Sequence, residues 1–144
     1  MEHHLSASLE DYLEAIFHIV AQKHVARAKD IAQRLGVNHS SVTVALRSLA
    51  NKGLINYAPY ELVTLTREGR LVSKDVARRH STLQEFFVKV LSVDPDLADT
   101  AACKMEHTLP PDILDPLTDF VDFVERCPQC LDEFRQEQAR KKNR

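Results

Sequence analysis

Apolar positions recur along this chain with a helical period for most of its length, and two short stretches break that rhythm. From Ser8 to Gln22, Leu9, Leu13, Ile16, Phe17 and Val20 form one stripe, which predicts an amphipathic helix. Ala28 to Gly53 reads as two short helices around a tight turn. Ile31, Ala32 and Leu35 give the first an apolar face, and Val42, Ala45, Leu46 and Leu49 give one to the second. Between them Gly36 can take positive φ without strain, and Asn38 is a good cap for the second helix. Leu54–Tyr57 and Leu62–Leu65 then carry β-branched and apolar residues on either side of Ala58-Pro59-Tyr60-Glu61, which predicts a two-stranded hairpin. Helical spacing returns at Thr66 and runs to about Leu91, with Val72, Val76, Leu83, Phe87 and Val90 buried and His80 inside the stripe. Asp94-Pro95 signals a helix from Pro95 to Leu109, stopped by Pro110-Pro111. A final helix near Pro111 to Arg126 bears Ile113, Leu114, Leu117, Phe120, Val121 and Val124, with Pro116 expected to divide it and Asp115 to cap the second piece. That stripe is apolar enough to require packing on the preceding helices or on a second subunit. Met1 to Ala7 reads as a frayed start and residues 131–144 as a disordered charged tail.

The order helix, helix-turn-helix, hairpin is that of a winged helix-turn-helix. On the second helix of the pair, the face opposite the apolar one carries Ser40, Thr43, Val44 and Arg47, with Ser41 on its flank. Small hydroxyls and one Arg, with no acidic residue to repel phosphate, suit the floor of a DNA major groove. Arg27, Asn38, His39, Ser40, Ser41, Thr43 and Arg47 are the candidate DNA-binding residues. Phosphate contacts are more plausible from Arg27, Lys29, Arg47, Lys52 or Arg67 than from the hairpin tip, where Glu61 is the charge. A solvated surface role is the alternative for each of these cations. The 144-residue chain has a formal net charge of −2, so a DNA-binding surface must concentrate positive charge locally or have acidic charge neutralised. Neither a membrane-length apolar run nor a basic-then-apolar leader is visible, which points to the cytoplasm. Three cysteines make an odd count without a disulfide framework, as in a reducing compartment.

Two sets of metal-ligating residue types stand out. Asp11, Glu14 and His18 share the polar side of the first helix, and Cys103, Glu106 and His107 fall at i, i+3 and i+4 on another. Thiolate, carboxylate and imidazole within one turn can supply three ligands to a divalent transition ion. Neighbours on one turn cannot close a coordination shell, so Asp11 and Glu14, or His80, are candidates to complete it. A solvated polar face, a hydrogen-bonded core histidine and a buried cysteine are the plainer alternatives. Cys127-Pro128-Gln129-Cys130 is a C-x-x-C without a second pair, so neither a zinc ribbon nor a redox site is favoured over bystander thiols.

Taken together, the segments LEDYLEAI at 9–16, the helix-turn-helix, RRH at 78–80 and CKMEH at 103–107 resemble the diphtheria toxin repressor family of metal-dependent transcription regulators, and most closely its short branch, the manganese transport regulators. The resemblance covers about residues 5–126. It implies a mainly α protein, with a winged helix-turn-helix and small β-hairpin wing over 1–70 and a helical metal-binding and dimerisation domain over 71–130. The β-barrel of the longer members is expected to be absent. It implies a homodimer that represses transcription by binding a palindromic double-stranded DNA operator when loaded with Fe(II) or Mn(II), and that controls metal-uptake genes. Asp11, Glu14, His80, Cys103, Glu106 and His107 match the family's metal-ligand positions. Cys103 replaces the carboxylate typical of the manganese branch, and Asp11 replaces the methionine of the iron branch. Gln84 and Asp99 stand where the iron branch has Glu and His. Ligands contributed by both halves would let an ion hold two recognition helices about one DNA turn apart, ~34 Å, or a multiple of it. Two rivals are a winged-helix regulator that responds to thiol oxidation or an organic ligand, and an enzyme using Cys103 with His80 or His107, for which no nucleophile motif speaks.

Overall fold

A computed structural model describes residues 5–58 and 62–144. Its elements in chain order are α1 (Ala7–Lys23), α2 (Ala28–Leu35), α3 (His39–Asn51), β1 (Ile55–Asn56), β2 (Thr64–Leu65), α4 (Arg67–Glu85), α5 (Pro95–Met105), α6 (Pro111–Glu125) and α7 (Pro128–Lys142). The chain divides into two compact units, Met1–Ala77 and Arg78–Arg144, and the division falls inside α4.

In the first unit α1, α2 and α3 enclose one core with the strands. Leu13, Ile16, Ile31, Val42, Leu46, Leu49, Leu54 and Val63 have no exposed surface. The stripe of α1 is wider than its sequence pattern suggests, because Tyr12, Ala15 and Ile19 are buried as well. Ser6 caps α1 by accepting from Leu9 N at 3.3 Å, and Asn38 caps α3 by accepting from Ser41 N at 2.9 Å. Gly36 ends α2 with φ +65°, and Gly53 follows α3 with φ +73°, the left-handed conformation that closes a helix without a Cβ penalty. The hairpin is shorter than expected. Ile55 pairs with Leu65 and Asn56 with Thr64, and an isolated bridge joins Val63 to Ala26. Most of the expected Ala58–Glu61 turn, residues 59–61, lies outside the described residues. Thr66 accepts from Gly69 N at 3.0 Å, which caps α4, and donates to Gly53 O at 2.7 Å, which pins the helix start to the end of the recognition helix.

In the second unit the expected helix to Leu91 is α-helical to Glu85 and then widens into a π-helical stretch, Phe86–Val90. Asp94 caps α5 by accepting from Asp96 N and Leu97 N at 3.0 and 3.2 Å. The helix ends at Met105, and Glu106–Thr108 form a 3-10 turn, tighter than the continuous helix expected to Leu109. Leu83, Val90, Ala98, Ala102, Leu114, Val121 and Val124 are buried, and Thr82 and Thr118 meet at 3.2 Å. Ile113, Phe120 and Phe123 of α6 remain exposed on this chain, as a helix that pairs with a second subunit requires.

Four expectations are corrected here. Pro116 does not divide α6, which is continuous from Pro111 to Glu125. Pro116 and Asp112 both face solvent, so water can satisfy the carbonyl that the proline leaves without an amide partner. Asp115 caps nothing and instead pairs with Arg78 at 2.7 Å. Residues 131–144 are helical for most of their length, in α7. Pro128 starts that helix, and Arg140, Lys141 and Lys142 complement the dipole at its end. Arg135 ties it down by donating to Lys89 O at 3.1 Å, while the Lys89 ammonium pairs with Glu125 and Glu85, which raises its pKa above the ordinary lysine value. Finally, Cys127 and Cys130 form a disulfide across the α6–α7 junction, with their Cα atoms 5.4 Å apart, so the expected absence of disulfides does not hold.

Gly69 is the backbone position with least room, since an added Cβ would lie 1.8 Å from Leu54 O. Gly69→Ala is expected to destabilise the protein by at least about 2–3 kcal/mol, because backbone must move. Gly36→Ala, in open space but at positive φ, should cost about 1–2 kcal/mol. Urea midpoints of the two variants give the ranking, and a Gly69→Ala protein as stable as wild type would contradict this packing.

Candidate metal centre and nucleic-acid interface

The four site residues expected in the C-terminal unit cluster around the end of α5. His80 is on α4, Cys103 in the last turn of α5, and Glu106 and His107 in the 3-10 turn that follows. Glu106 has no exposed surface. Its Oε2 lies 2.6 Å from His80 Nδ1, and its Oε1 lies 3.7 Å from His107 Nε2. Cys103 Sγ is within 4.8 Å of a Glu106 carboxylate oxygen. The shift from α-helix to 3-10 turn after Met105 sets the direction in which Glu106 and His107 leave the backbone. A buried carboxylate must be compensated, and here the compensation comes from side chains that are themselves ligand types. This donor set of imidazole, carboxylate and thiol fits a divalent transition ion.

Two further residues shape the cluster. Arg79 is buried and donates from Nη1 to Glu106 O at 2.9 Å, so the main chain of the carboxylate is held by the neighbour of the histidine it faces. The other ring nitrogen of His80, Nε2, lies 2.8 Å from Asp99 Oδ1. Sequence reasoning gave Arg79 no role, and marked Asp99 only as standing where the iron branch has a histidine. An arginine three residues after the buried Val76, on the apolar side of α4, was the available signal for Arg79. Nothing in the sequence pairs Asp99 with His80, which is 19 positions away.

Asp11 and Glu14 belong to the N-terminal unit, on α1. Both are half-buried, and Glu14 Oε1 is 3.5 Å from His18 Nε2, so this part of the polar stripe is not simply solvated.

The DNA-binding candidates fall at the start of α2 and on or next to α3. Arg27 precedes α2, Asn38 caps α3, and His39, Ser40, Ser41 and Arg47 are exposed along α3, with Thr43 half-buried. Asn38 Oδ1 accepts from Ser40 Oγ at 2.8 Å as well as from Ser41 N, and Thr43 Oγ1 donates to His39 O at 3.1 Å. Asn38 and Thr43 therefore help build the helix start. Val44 is 68% exposed at the centre of this face. A bare β-branched side chain there is placed to touch a thymine methyl group, a contact the candidate set omitted.

Residues 4–63 match the family described as iron dependent repressor, N-terminal DNA binding domain, and residues 66–135 match iron dependent repressor, metal binding and dimerisation domain. The chain is 32% identical over 133 residues to the HTH-type transcriptional regulator MntR of Shouchella clausii, covering 92% of each. It is 31% identical over 136 residues to MntR of Bacillus subtilis, covering 94% of this chain and 88% of that protein. A solved manganese-dependent transcriptional repressor in complex with manganese superposes on 80% of this chain with a TM-score of 0.71 and 30% identity, and the chain spans 53% of its length. The chain belongs to the iron-dependent repressor family of metal-dependent transcriptional regulators, in the branch that includes MntR. It is thus a DNA-binding regulator with a metal-binding and dimerisation domain, in a family whose metals are iron and manganese. Among the described residues no helix is long and apolar enough to cross a membrane.

Replacing Arg79 by Met keeps much of its bulk but removes a charged donor from a buried carbonyl. The metal-free protein is expected to lose about 1.5–3 kcal/mol. An unchanged denaturation midpoint would mean that the Glu106 main chain does not depend on this bond.

Proposed function

We propose that this chain is a cytoplasmic metal-sensing repressor of metal-uptake genes, with Fe(II) or Mn(II) as co-repressor and Asp11, Glu14, His80, Cys103, Glu106 and His107 as its ligand set. In this reading residues 1–70 bind DNA and residues 71–130 bind metal and dimerise. The observation that carries it is the buried Glu106 carboxylate facing His80, with Cys103 and His107 on the same turn. When bound, a divalent cation would neutralise the acidic ligands of this set. In this scheme Asp11 and Glu14 would be the ligands contributed by the DNA-binding half. His80, Cys103, Glu106 and His107 would be those of the dimerisation half. Without a cation the carboxylates repel and the DNA-competent arrangement of the dimer is one among several. Coupling of about 1–3 kcal/mol between metal and operator is expected, which is roughly 5–150-fold in affinity. Arg27, Asn38, His39, Ser40, Ser41, Thr43 and Arg47 would read a palindromic operator in this scheme. Cys103 serves as a ligand rather than as a nucleophile, so the reading contains no catalytic step.

The direct test strips the protein with chelator, then titrates Mn(II) and anaerobic Fe(II) separately while following selection from random duplex DNA at fixed salt. Metal-dependent enrichment of a palindrome is expected. Glu106→Ala and His107→Ala should each reduce the metal response at least about 10-fold. Binding that is equally tight with and without metal would overturn the sensor reading.

Cys103 also makes a prediction about metal choice. A thiolate favours the softer of the two ions and a carboxylate the harder. Cys103→Glu should therefore shift the ratio of Mn(II) to Fe(II) effectiveness toward Mn(II), measured as the concentrations giving half-maximal DNA binding. A ratio that stays constant or moves toward Fe(II) would exclude Cys103 from the ligand set.

A further inference from the structure

We propose that Asp99 is a positioning residue of the metal centre. It binds no ion but holds the His80 ring so that Nδ1 is the nitrogen presented to the ligand set. This inference rests on the metal-site reading above. A neutral imidazole has one N–H and one lone pair, and the hydrogen bond at one nitrogen decides which is which. Nε2 of His80 lies 2.8 Å from Asp99 Oδ1, and an ionised carboxylate can only accept. Asp99 can thus hold the ring with Nε2 turned toward the exposed side as the donor. Nδ1 is left facing Glu106 Oε2 at 2.6 Å, on the buried side of the ring. The opposite side of the pair is fixed independently, because Arg79 anchors the Glu106 main chain at 2.9 Å.

The two carboxylates facing His80 thus differ in role because they differ in environment. Glu106 is enclosed beside Cys103 and His107, whereas the Asp99 side chain is 60% exposed. An exposed ion pair contributes little to stability, so removing Asp99 should leave the fold intact and release the ring. A ring free to rotate about its Cβ–Cγ bond divides its time between orientations, and metal affinity falls accordingly. Loss of such an outer partner typically weakens metal binding about 10–100-fold.

The test uses the full chain, stripped of metal, as wild type, Asp99→Ala and Asp99→Asn. Mn(II) affinity and the number of ions bound are read by competition with a fluorescent chelator, and the His80 tautomer by nitrogen–proton correlation NMR of the Zn(II)-loaded protein. Asp99→Ala should bind Mn(II) about 10–100-fold more weakly with an unchanged number of ions and an unchanged apo melting curve. Asp99→Asn, whose carbonyl still accepts from Nε2, should recover part of the loss. Wild-type His80 should show a protonated Nε2, and Asp99→Ala a mixed signal. Equal affinity in wild type and Asp99→Ala would remove the positioning role alone. Loss of one ion, with the remainder bound as tightly as before, would make Asp99 a ligand instead. A wild-type chain that takes up neither Mn(II) nor Zn(II) would remove the metal-site reading and this role with it.

Discussion

The C-terminal unit depends on one carboxylate. Glu106 is completely buried at the end of α5, where an isolated charge would be costly. Three features make it tolerable. His80 meets one of its oxygens, His107 approaches the other, and Arg79 holds its backbone carbonyl. These partners come from α4 and from the turn itself, so the end of α5 is tied to the second half of α4 by polar contacts. Such an arrangement is an uneconomical way to build a core, since an apolar residue at 106 would bury more simply. A divalent cation gives a reason for keeping the charge there.

The N-terminal unit is organised differently. Its hydrophobic cluster is built from the three helices and the hairpin, and the buried Ser73 hydroxyl is satisfied within α4 by donating to Gly69 O at 2.6 Å. The recognition helix is supported from below by Val42, Ala45, Leu46 and Leu49 and capped by Asn38. Thr66 locks the following helix onto the end of this element. The outward face can then carry Ser40, Ser41, Val44 and Arg47 without any of them being needed to hold the helix in place, although Ser40 also leans on the cap. A rigid helix presented by an apolar core is the physical requirement for reading DNA from one face. The family boundary falls earlier than the division into compact units: the match to a DNA-binding domain ends at residue 63 and the match to a metal-binding and dimerisation domain begins at residue 66, whereas the first unit runs to Ala77.

The apolar periodicity determined most of the fold by itself. It placed α1 within one residue at each end, the helix-turn-helix with its buried face and its Gly36 turn, and the starts of α4, α5 and α6, because each of those features is encoded by residues close in sequence. It also brought Cys103, Glu106 and His107 onto one turn, since i, i+3 and i+4 neighbours meet in any helical conformation. Expectations erred where a local rule was weighed without its surroundings. Pro116 usually interrupts a helix, but on the solvent side of α6 its cost is small. The charged tail lacks apolar residues enough for a core of its own, but Arg135 reaches the carbonyl of Lys89 and the helix has favourable ends. The Cys127–Cys130 pair closed because the α6–α7 junction brings the two residues into range.

Tertiary structure decided which polar atoms face one another. The residue types around the metal centre were legible in the chain. That the Glu106 carboxylate is fully buried, that His80 offers Nδ1 to it and Nε2 to Asp99, and that Arg79 grips its main chain were not. Those contacts join residues 19 to 27 positions apart, and no periodicity encodes them. They are set by how α5 lies beside α4 and by the tightening of the chain into a 3-10 turn after Met105, which turns a row of possible ligands into a directed one.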